Sequence, residues 1–209
     1  SAKNYASHII GGEIYYVQLS TNEYRLYLNL FRDCSNEDNA AFDDPLYITA
    51  LDKNNNVVMS FFLYPEIEEV FPEISDPCLS VPDNVCVEKA EYSTTINLPP
   101  IQGGYVLTYQ TCCRNATIGN IINPDSQGAT YTISIPGSEI TQTNSSPHFI
   151  KQPPIIMCNN EALVFDLSAT DTDGDQLVYE LCAPLDGGFT QLGPPYDDIV
   201  WLSPYSESY

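Results

Sequence analysis

Apolar and polar residues alternate along most of this chain with a period of two, which is typical of β-strands. No segment shows a helical stripe of ordinary length. Residues 20–22 and the asparagine-rich residues 52–56 predict two hairpin turns. About seven strands are predicted in the first two thirds of the chain, the usual content of a β-sandwich: residues 12–19, 23–31, 46–51, 57–63, 85–98, 105–113 and 130–135.

Two stretches interrupt this pattern. Residues 64–84 are acidic and broken by prolines, so they predict a long surface excursion. Residues 136–154 carry four prolines among Gly, Ser, Thr and Asn, which favours an extended domain boundary. We therefore divide the chain into an N-terminal sandwich, residues 1–144, and a second β domain, residues 145–209.

The second domain repeats the strand pattern, but with fewer segments. They lie at residues 155–158, 162–168, 176–182 and 196–202. Three or four strands are too few to close a sandwich. The sequence predicts an all-β protein of tandem immunoglobulin-like or cadherin-like sandwiches, the second apparently truncated.

Charge narrows the classes of partner. The 209 residues include 28 acidic and 7 basic side chains, a formal net charge of −21. Such a chain repels nucleic-acid phosphates and anionic lipid surfaces and attracts cations, above all metal ions. No apolar run approaches the roughly 20 residues of a membrane span, so we expect no direct membrane insertion.

The acidic turn, residues 171–175, joins two of these strand patterns. Asp171, Asp173 and Asp175 alternate, so they can converge on a calcium ion, and Gly174 lets the backbone bend around it. An EF-hand is excluded, because its sixth and twelfth positions would be Gln176 and Cys182 rather than Gly and Glu. A solvated turn without metal is the alternative.

Seven cysteines and only two histidines favour disulfides in an oxidising compartment over zinc sites. Cys78 and Cys86 bracket a short polar loop and are predicted to pair. Cys158 and Cys182 flank the strand patterns around the acidic turn and form the second predicted pair.

The partner of Cys34 must then be Cys112 or Cys113. Cys113 shares a strand face with Tyr105, Leu107 and Tyr109, and we choose the pair Cys34 with Cys113 on that parity. A vicinal bridge between Cys112 and Cys113 stays open, as does a free thiol, because seven is odd.

Candidate catalytic residues are not singled out by any motif. His8 and His148 lie far apart, and neither is embedded in a nucleophile or metal signature. We therefore expect no enzyme. Fifteen tyrosines could stack on sugars, although cross-strand packing explains most of them.

Several fragments in order resemble the N-terminal region of large Bacteroidetes surface proteins, the gliding-motility-associated, type IX-secreted adhesins. The fragments are residues 7–14, 28–34, 109–115, 146–149, the acidic turn and residues 199–202. The resemblance implies strings of immunoglobulin-like, cadherin-like or PKD-type modules at the outer cell surface. Calcium near a module junction would then stiffen the string.

The expected function is thus a secreted, non-catalytic adhesion module that binds an extracellular surface or glycan, or other surface and secretion-machinery proteins. One alternative is an accessory, carbohydrate-binding region of a secreted polysaccharide-degrading enzyme. Another is a structural part of the export or motility machinery, paired through Cys112 or a strand edge.

Overall fold

The computed structural model describes residues 9–35, 41–70, 85–154, 157, 162–188 and 194–202. Within these ranges the fold is all-β, and its one helical element is a single 3-10 turn at Pro124–Ser126. Among the described residues, no helix has the length and hydrophobicity of a membrane span.

Two four-stranded antiparallel sheets form a sandwich. Sheet 1 has the order β1-β2-β6-β5 and sheet 2 the order β4-β3-β7-β8. Their strands are β1 (Ile9–Ser20), β2 (Glu23–Asp33), β3 (Leu46–Leu51), β4 (Val57–Leu63), β5 (Pro65–Val70), β6 (Val87–Asn97), β7 (Tyr105–Cys112) and β8 (Gly128–Ile135).

The core lies between the two sheets, because alternate residues of each strand point inward. Leu26, Leu28 and Leu30 of β2 are fully buried, and they belong to the same apolar cluster as Ile48 of β3 and Leu107 of β7. The predicted sandwich is therefore confirmed, and so is the all-β class.

The predicted hairpins are confirmed as well. β1 and β2 pair around the turn at residues 21–22, and β3 and β4 occupy the predicted ranges 46–51 and 57–63. β5 was not predicted, since its first residue is a proline and acidic residues follow it. It pairs with β6 at the edge of sheet 1, where a proline at the start of a strand is tolerated.

Two of the predicted disulfide pairs are wrong. Cys34 is bonded to Cys86, with their Cα atoms 4.9 Å apart. The β2–β6 ladder ends at Asp33 opposite Val87, so the next residue on each strand is the cysteine, and the Cys34 N–H donates to the Cys86 carbonyl. This bond excludes Cys34 with Cys113 and Cys78 with Cys86.

The other cysteines also depart from the favoured pairing. Cys113 is bonded to Cys112, the vicinal bridge that the sequence left open. Cys182 is free and exposed, so it does not form the predicted bridge to Cys158. Cys78 and Cys158 themselves lie outside the described residues.

Residues 162–168 and 176–182 do not form strands despite their alternating pattern. The described ladder in this region joins only β9 (His148–Phe149) to β10 (Ala169–Thr170). Residues 184–188 and 194–202 then contact the sandwich, where the Leu185 carbonyl accepts a hydrogen bond from the Thr130 N–H of β8. The division of the chain at residue 144 stays a prediction.

Candidate binding site

The described parts of residues 147–183, which we call the anchored loop, begin beside the outer edge of β1. Just before the loop, the Ser146 N–H donates to the Tyr16 carbonyl at 2.9 Å, and the Tyr16 N–H donates to Ser146 Oγ at 2.8 Å. The Gln18 N–H donates to Ser145 Oγ, and Asn144 Nδ2 donates to the Tyr16 hydroxyl at 2.7 Å. At this end of β1, backbone groups that a neighbouring strand would pair with are bonded to Ser145 and Ser146 instead.

Residues 184–188 and 194–202, the C-terminal strap, hold the other end of the loop. The Asp186 carboxylate accepts a hydrogen bond from the Gly128 N–H, and Arg114 Nη2 donates to the Leu185 carbonyl at 2.9 Å. A Cβ on Gly128 would lie 1.6 Å from the Gly187 carbonyl oxygen, so only glycine allows this contact. The loop is therefore fixed to the sandwich at both ends.

The acidic turn at the middle of the loop is organised by its own hydrogen bonds. Asp171 Oδ1 accepts the N–H groups of Asp173 at 2.8 Å, Gly174 at 3.0 Å and Asp175 at 3.3 Å. Gly174 has a φ of 80°, a conformation that suits glycine. The carboxylate of Asp173 accepts the Ser145 N–H, which ties the turn to β1 through the same residues that hold the loop.

The three aspartates do not gather into a ready metal centre. Among the described residues, no group of three or more His, Cys, Asp or Glu side chains could hold an ion. One oxygen of Asp171 and one of Asp173 already accept backbone hydrogen bonds. The arrangement as it stands does not fit an ion held by all three carboxylates, and the calcium site stays a prediction.

A groove runs between β1 and the anchored loop. It contains a cavity of about 170 Å³, lined by Ile14 and Tyr15 of β1 and by Leu177 and Tyr179 of the loop. A neighbouring cavity of about 300 Å³ is lined by Gly11, Gly12, Lys151 and Leu167, among others. Both cavities share Glu13 and Phe149, so they adjoin.

Three stacked rings form one wall of the groove. The Tyr15 ring lies 4.7 Å from Tyr27 and 5.0 Å from His148, measured between ring centroids, with nearly parallel planes. Two rings this close must cover opposite faces of Tyr15. Tyr15 therefore offers no free face to a sugar ring, and its contribution to a ligand is its edge and hydroxyl.

The polar groups of the groove differ in their burial and hydrogen bonding. Burial, and next the charge of Glu13, raise the pKa of Tyr15 to about 12, so the phenol is neutral at physiological pH. Glu13 Oε1 accepts a hydrogen bond from Asn29 Nδ2 at 2.9 Å, which fixes the carboxylate beside the cavities. His148 Nδ1 is buried and makes no hydrogen bond with the described residues.

The two extended segments that border the acidic turn, residues 162–168 and 176–182, are named the arms. Their apolar side chains are unusually exposed: 95% for Val164, 86% for Val178 and 80% for Leu181. The sequence pattern predicted strands here, but the arms lack a described sheet partner. One ion pair steadies the first arm, since Lys151 Nζ lies 3.0 Å from Asp166.

Asp166 belongs to this ion pair and to a local turn. Hydrogen bonds from Ser168, and next from Lys151, lower the pKa of Asp166 to about 2. The carboxylate stays charged at physiological pH and places a negative charge near the C-terminal end of the first arm.

The groove residues were not predicted as a site. The register of the β1–β2 hairpin could have placed Tyr15 opposite Tyr27, because the turn length fixes which residues face each other. No local signal brings His148 and Phe149 to the same place, since that depends on how the loop leaves β1.

No protein-family model, curated protein or solved structure matches this chain. The class that the fold defines is an all-β protein with a sandwich of two four-stranded antiparallel sheets.

Proposed function

We propose that this chain is a non-catalytic adhesion module of a large secreted protein at the outer cell surface, similar to the gliding-motility-associated, type IX-secreted adhesins of Bacteroidetes. The observation that carries the proposal is the anchored loop. Its arms expose large apolar side chains while both of its ends are hydrogen-bonded to the sandwich.

Contiguous exposed apolar surface marks interaction sites in soluble proteins. Long loops on a rigid scaffold often carry binding function. Here the apolar arms belong to a chain with a net charge of −21, whose other surfaces repel acidic molecules. The arms therefore add exposed apolar side chains to a strongly solvated body, which supports an adhesive role at a cell surface.

Adhesion can be tested with beads that carry the chain. We expect the substitution of Val164, Val178 and Leu181 by serine to reduce bead retention on extracellular surfaces and glycan-coated surfaces severalfold. The matched control replaces Leu19, Val58 and Ile140 by serine, since these are also exposed apolar residues but lie outside the loop. Equal retention of both variants would contradict the role of the arms.

Stiffening by calcium is a separate part of the proposal. It is supported by the place of the acidic turn, which Asp173 and Ser145 tie to the edge of β1, where the predicted domains would meet. An ion that binds only the folded protein stabilises it by about 2.7 kcal/mol at a concentration 100 times its Kd.

Calorimetric melting with calcium and with a chelator tests this part. We expect calcium to raise Tm in the native chain and in Asp125→Asn, an exposed acid in the 3-10 turn, but not in Asp175→Asn. An unchanged Tm in the native chain would remove calcium from the proposal and leave adhesion untouched.

A further inference from the structure

The free edge of β1 carries backbone hydrogen-bonding groups that point into the groove. The N–H and C=O of Tyr16 both bond to Ser146, so they point away from β2. Residues two and four positions earlier have the same orientation in a strand. The N–H and C=O groups of Ile14 and Gly12 therefore also point to this edge, where no described residue outside the sheet forms a backbone hydrogen bond with them.

Both ends of this open edge are closed by other parts of the chain. Ser145 and Ser146 occupy it from Tyr16 to Gln18. At the opposite end the Asn115 N–H donates to the Ile9 carbonyl. What lies between is a short length of edge with a defined beginning and end, which suits a few residues of an added strand.

The two cavities lie along this same length of β1. Ile14 lines the smaller one and Gly12 the larger one, with Phe149 common to both. In strand addition, backbone hydrogen bonds supply affinity, while pockets for alternate side chains supply specificity. Two adjoining apolar cavities lie beside backbone groups for which the described part of the chain supplies no added strand, so both elements are present.

Charge indicates the nature of the added strand. Glu13 is common to both cavities and stays fixed by Asn29. The whole chain carries −21, so a second copy of this chain is repelled and a basic segment is attracted.

We infer that the groove along β1 binds an extended, basic segment of a partner protein, which adds a strand at Gly12 and Ile14 and places apolar side chains in the two cavities. The inference rests on the proposed adhesive function and specifies its partner. The anchored loop is the outer wall of the site, and Phe149 lines both cavities.

The probe is a blocked peptide of alternating residues, Lys-Val-Lys-Val-Lys-Val-Lys, titrated into the full chain by calorimetry and by amide NMR. The matched probe carries N-methyl groups on its valines, which remove backbone donors and leave the charge unchanged. We expect shifts at Gly12 and Ile14 and binding about tenfold weaker for the methylated peptide. Equal affinities would mean charge attraction alone and would overturn the inference, as would no binding of either peptide.

Substitutions in the chain locate the site. Phe149→Ala is expected to weaken binding of the unmethylated peptide about tenfold, because it removes the side chain common to both cavities. Phe62→Ala is the control, since Phe62 is similarly exposed on β4, the edge strand of the other sheet. Loss of binding in Phe62→Ala alone, or shifts confined to β4, would overturn the inference.

The two proposals fail in different ways. If coated beads adhere but the peptide does not bind, the strand-addition site is wrong and adhesion stands. If the peptide binds as expected but beads do not adhere, the site stands and the adhesive role is wrong.

Discussion

The described parts of residues 9–135 and of residues 144–202 carry similar alternating patterns, but the first region forms two four-stranded sheets and the second only the short β9–β10 ladder. In the sandwich, each apolar face meets a second sheet, and β2 is fully buried at Leu26, Leu28 and Leu30. In the anchored loop, the same alternation leaves Val178 and Leu181 largely exposed. Alternation therefore indicates a tendency to extend, whereas a stable strand also requires a neighbour that supplies hydrogen bonds and covers its apolar face.

The two regions also differ in how they are held. Ladders of backbone hydrogen bonds join the strands of the sandwich. The loop and the strap are held by isolated backbone hydrogen bonds, such as the one from the Thr130 N–H to the Leu185 carbonyl, together with side chains that bond to backbone groups, such as Asp186 with Gly128. Such contacts fix the path of a chain without requiring a regular sheet, which leaves the arms available to a partner.

The largest expected effect is loss of the sandwich in alkali. Burial raises the pKa of Tyr15 and Tyr16 to about 12, and it also raises the pKa of Tyr109 and Tyr131. Below pH 10 these phenols are protonated in both states, so their contribution to stability is fully present. As pH rises from 10.0 toward 12, the unfolded chain loses these protons first, and the free energy of unfolding falls.

Circular dichroism and tyrosinate absorbance, recorded together during an alkaline titration, check this expectation. The loss of β-structure should coincide with the ionisation of the buried tyrosines. If those tyrosines titrated near pH 10 with the sheets intact, the stacked wall of the groove would be open to solvent rather than packed.

A pair of leucines gives the next largest difference. Leu28→Ala removes a fully buried side chain from β2, and we expect it to lower the free energy of unfolding by about 2–5 kcal/mol. Leu181→Ala lies on an exposed arm and should change the free energy of unfolding by less than about 0.5 kcal/mol. Urea denaturation of both variants measures the contrast. A similar loss in both would show that the arm is packed in solution.

Glycines at the strap give a smaller effect. A Cβ on Gly128 would overlap the Gly187 carbonyl. Gly128→Ala should therefore displace the strap and lower the free energy of unfolding by about 1–3 kcal/mol. Gly119→Ala adds a methyl group in open space and should be neutral or slightly stabilising. Amide hydrogen exchange of residues 184–188 should accelerate in the first variant only. Unchanged exchange would place the strap away from β8.

The strands of the sandwich could be predicted because each depends on local pattern and turn chemistry. Asp52 accepts hydrogen bonds from Asn54 and Asn56, which closes the β3–β4 turn between the predicted limits. The acidic turn is likewise local, since Asp171 binds the residues that follow it. The edge strand β5 escaped prediction because its acidic, proline-led sequence indicates a surface segment, and only β6 makes it a strand.

The disulfides could not be predicted because each pairing depends on which strands become neighbours. The alternation of strand residues put Cys113 on the same face as Tyr109, and Cys34 was paired with Cys113 on that ground. Cys34 is bonded to Cys86 instead, because β2 lies beside β6. The groove is similar: its walls come from β1 and from His148 and Phe149, which are more than a hundred positions away.

By itself, the sequence determined the alternation of the strands, the hairpin turns, the acidic turn and the high negative charge, because each depends on residues close together in the chain or on simple counts. The tertiary structure alone decided which edges pair, which cysteines meet, where the strap lies and where the groove opens. Those features arise from contacts between distant segments, whose free energy depends on the packing of the whole sandwich rather than on local pattern.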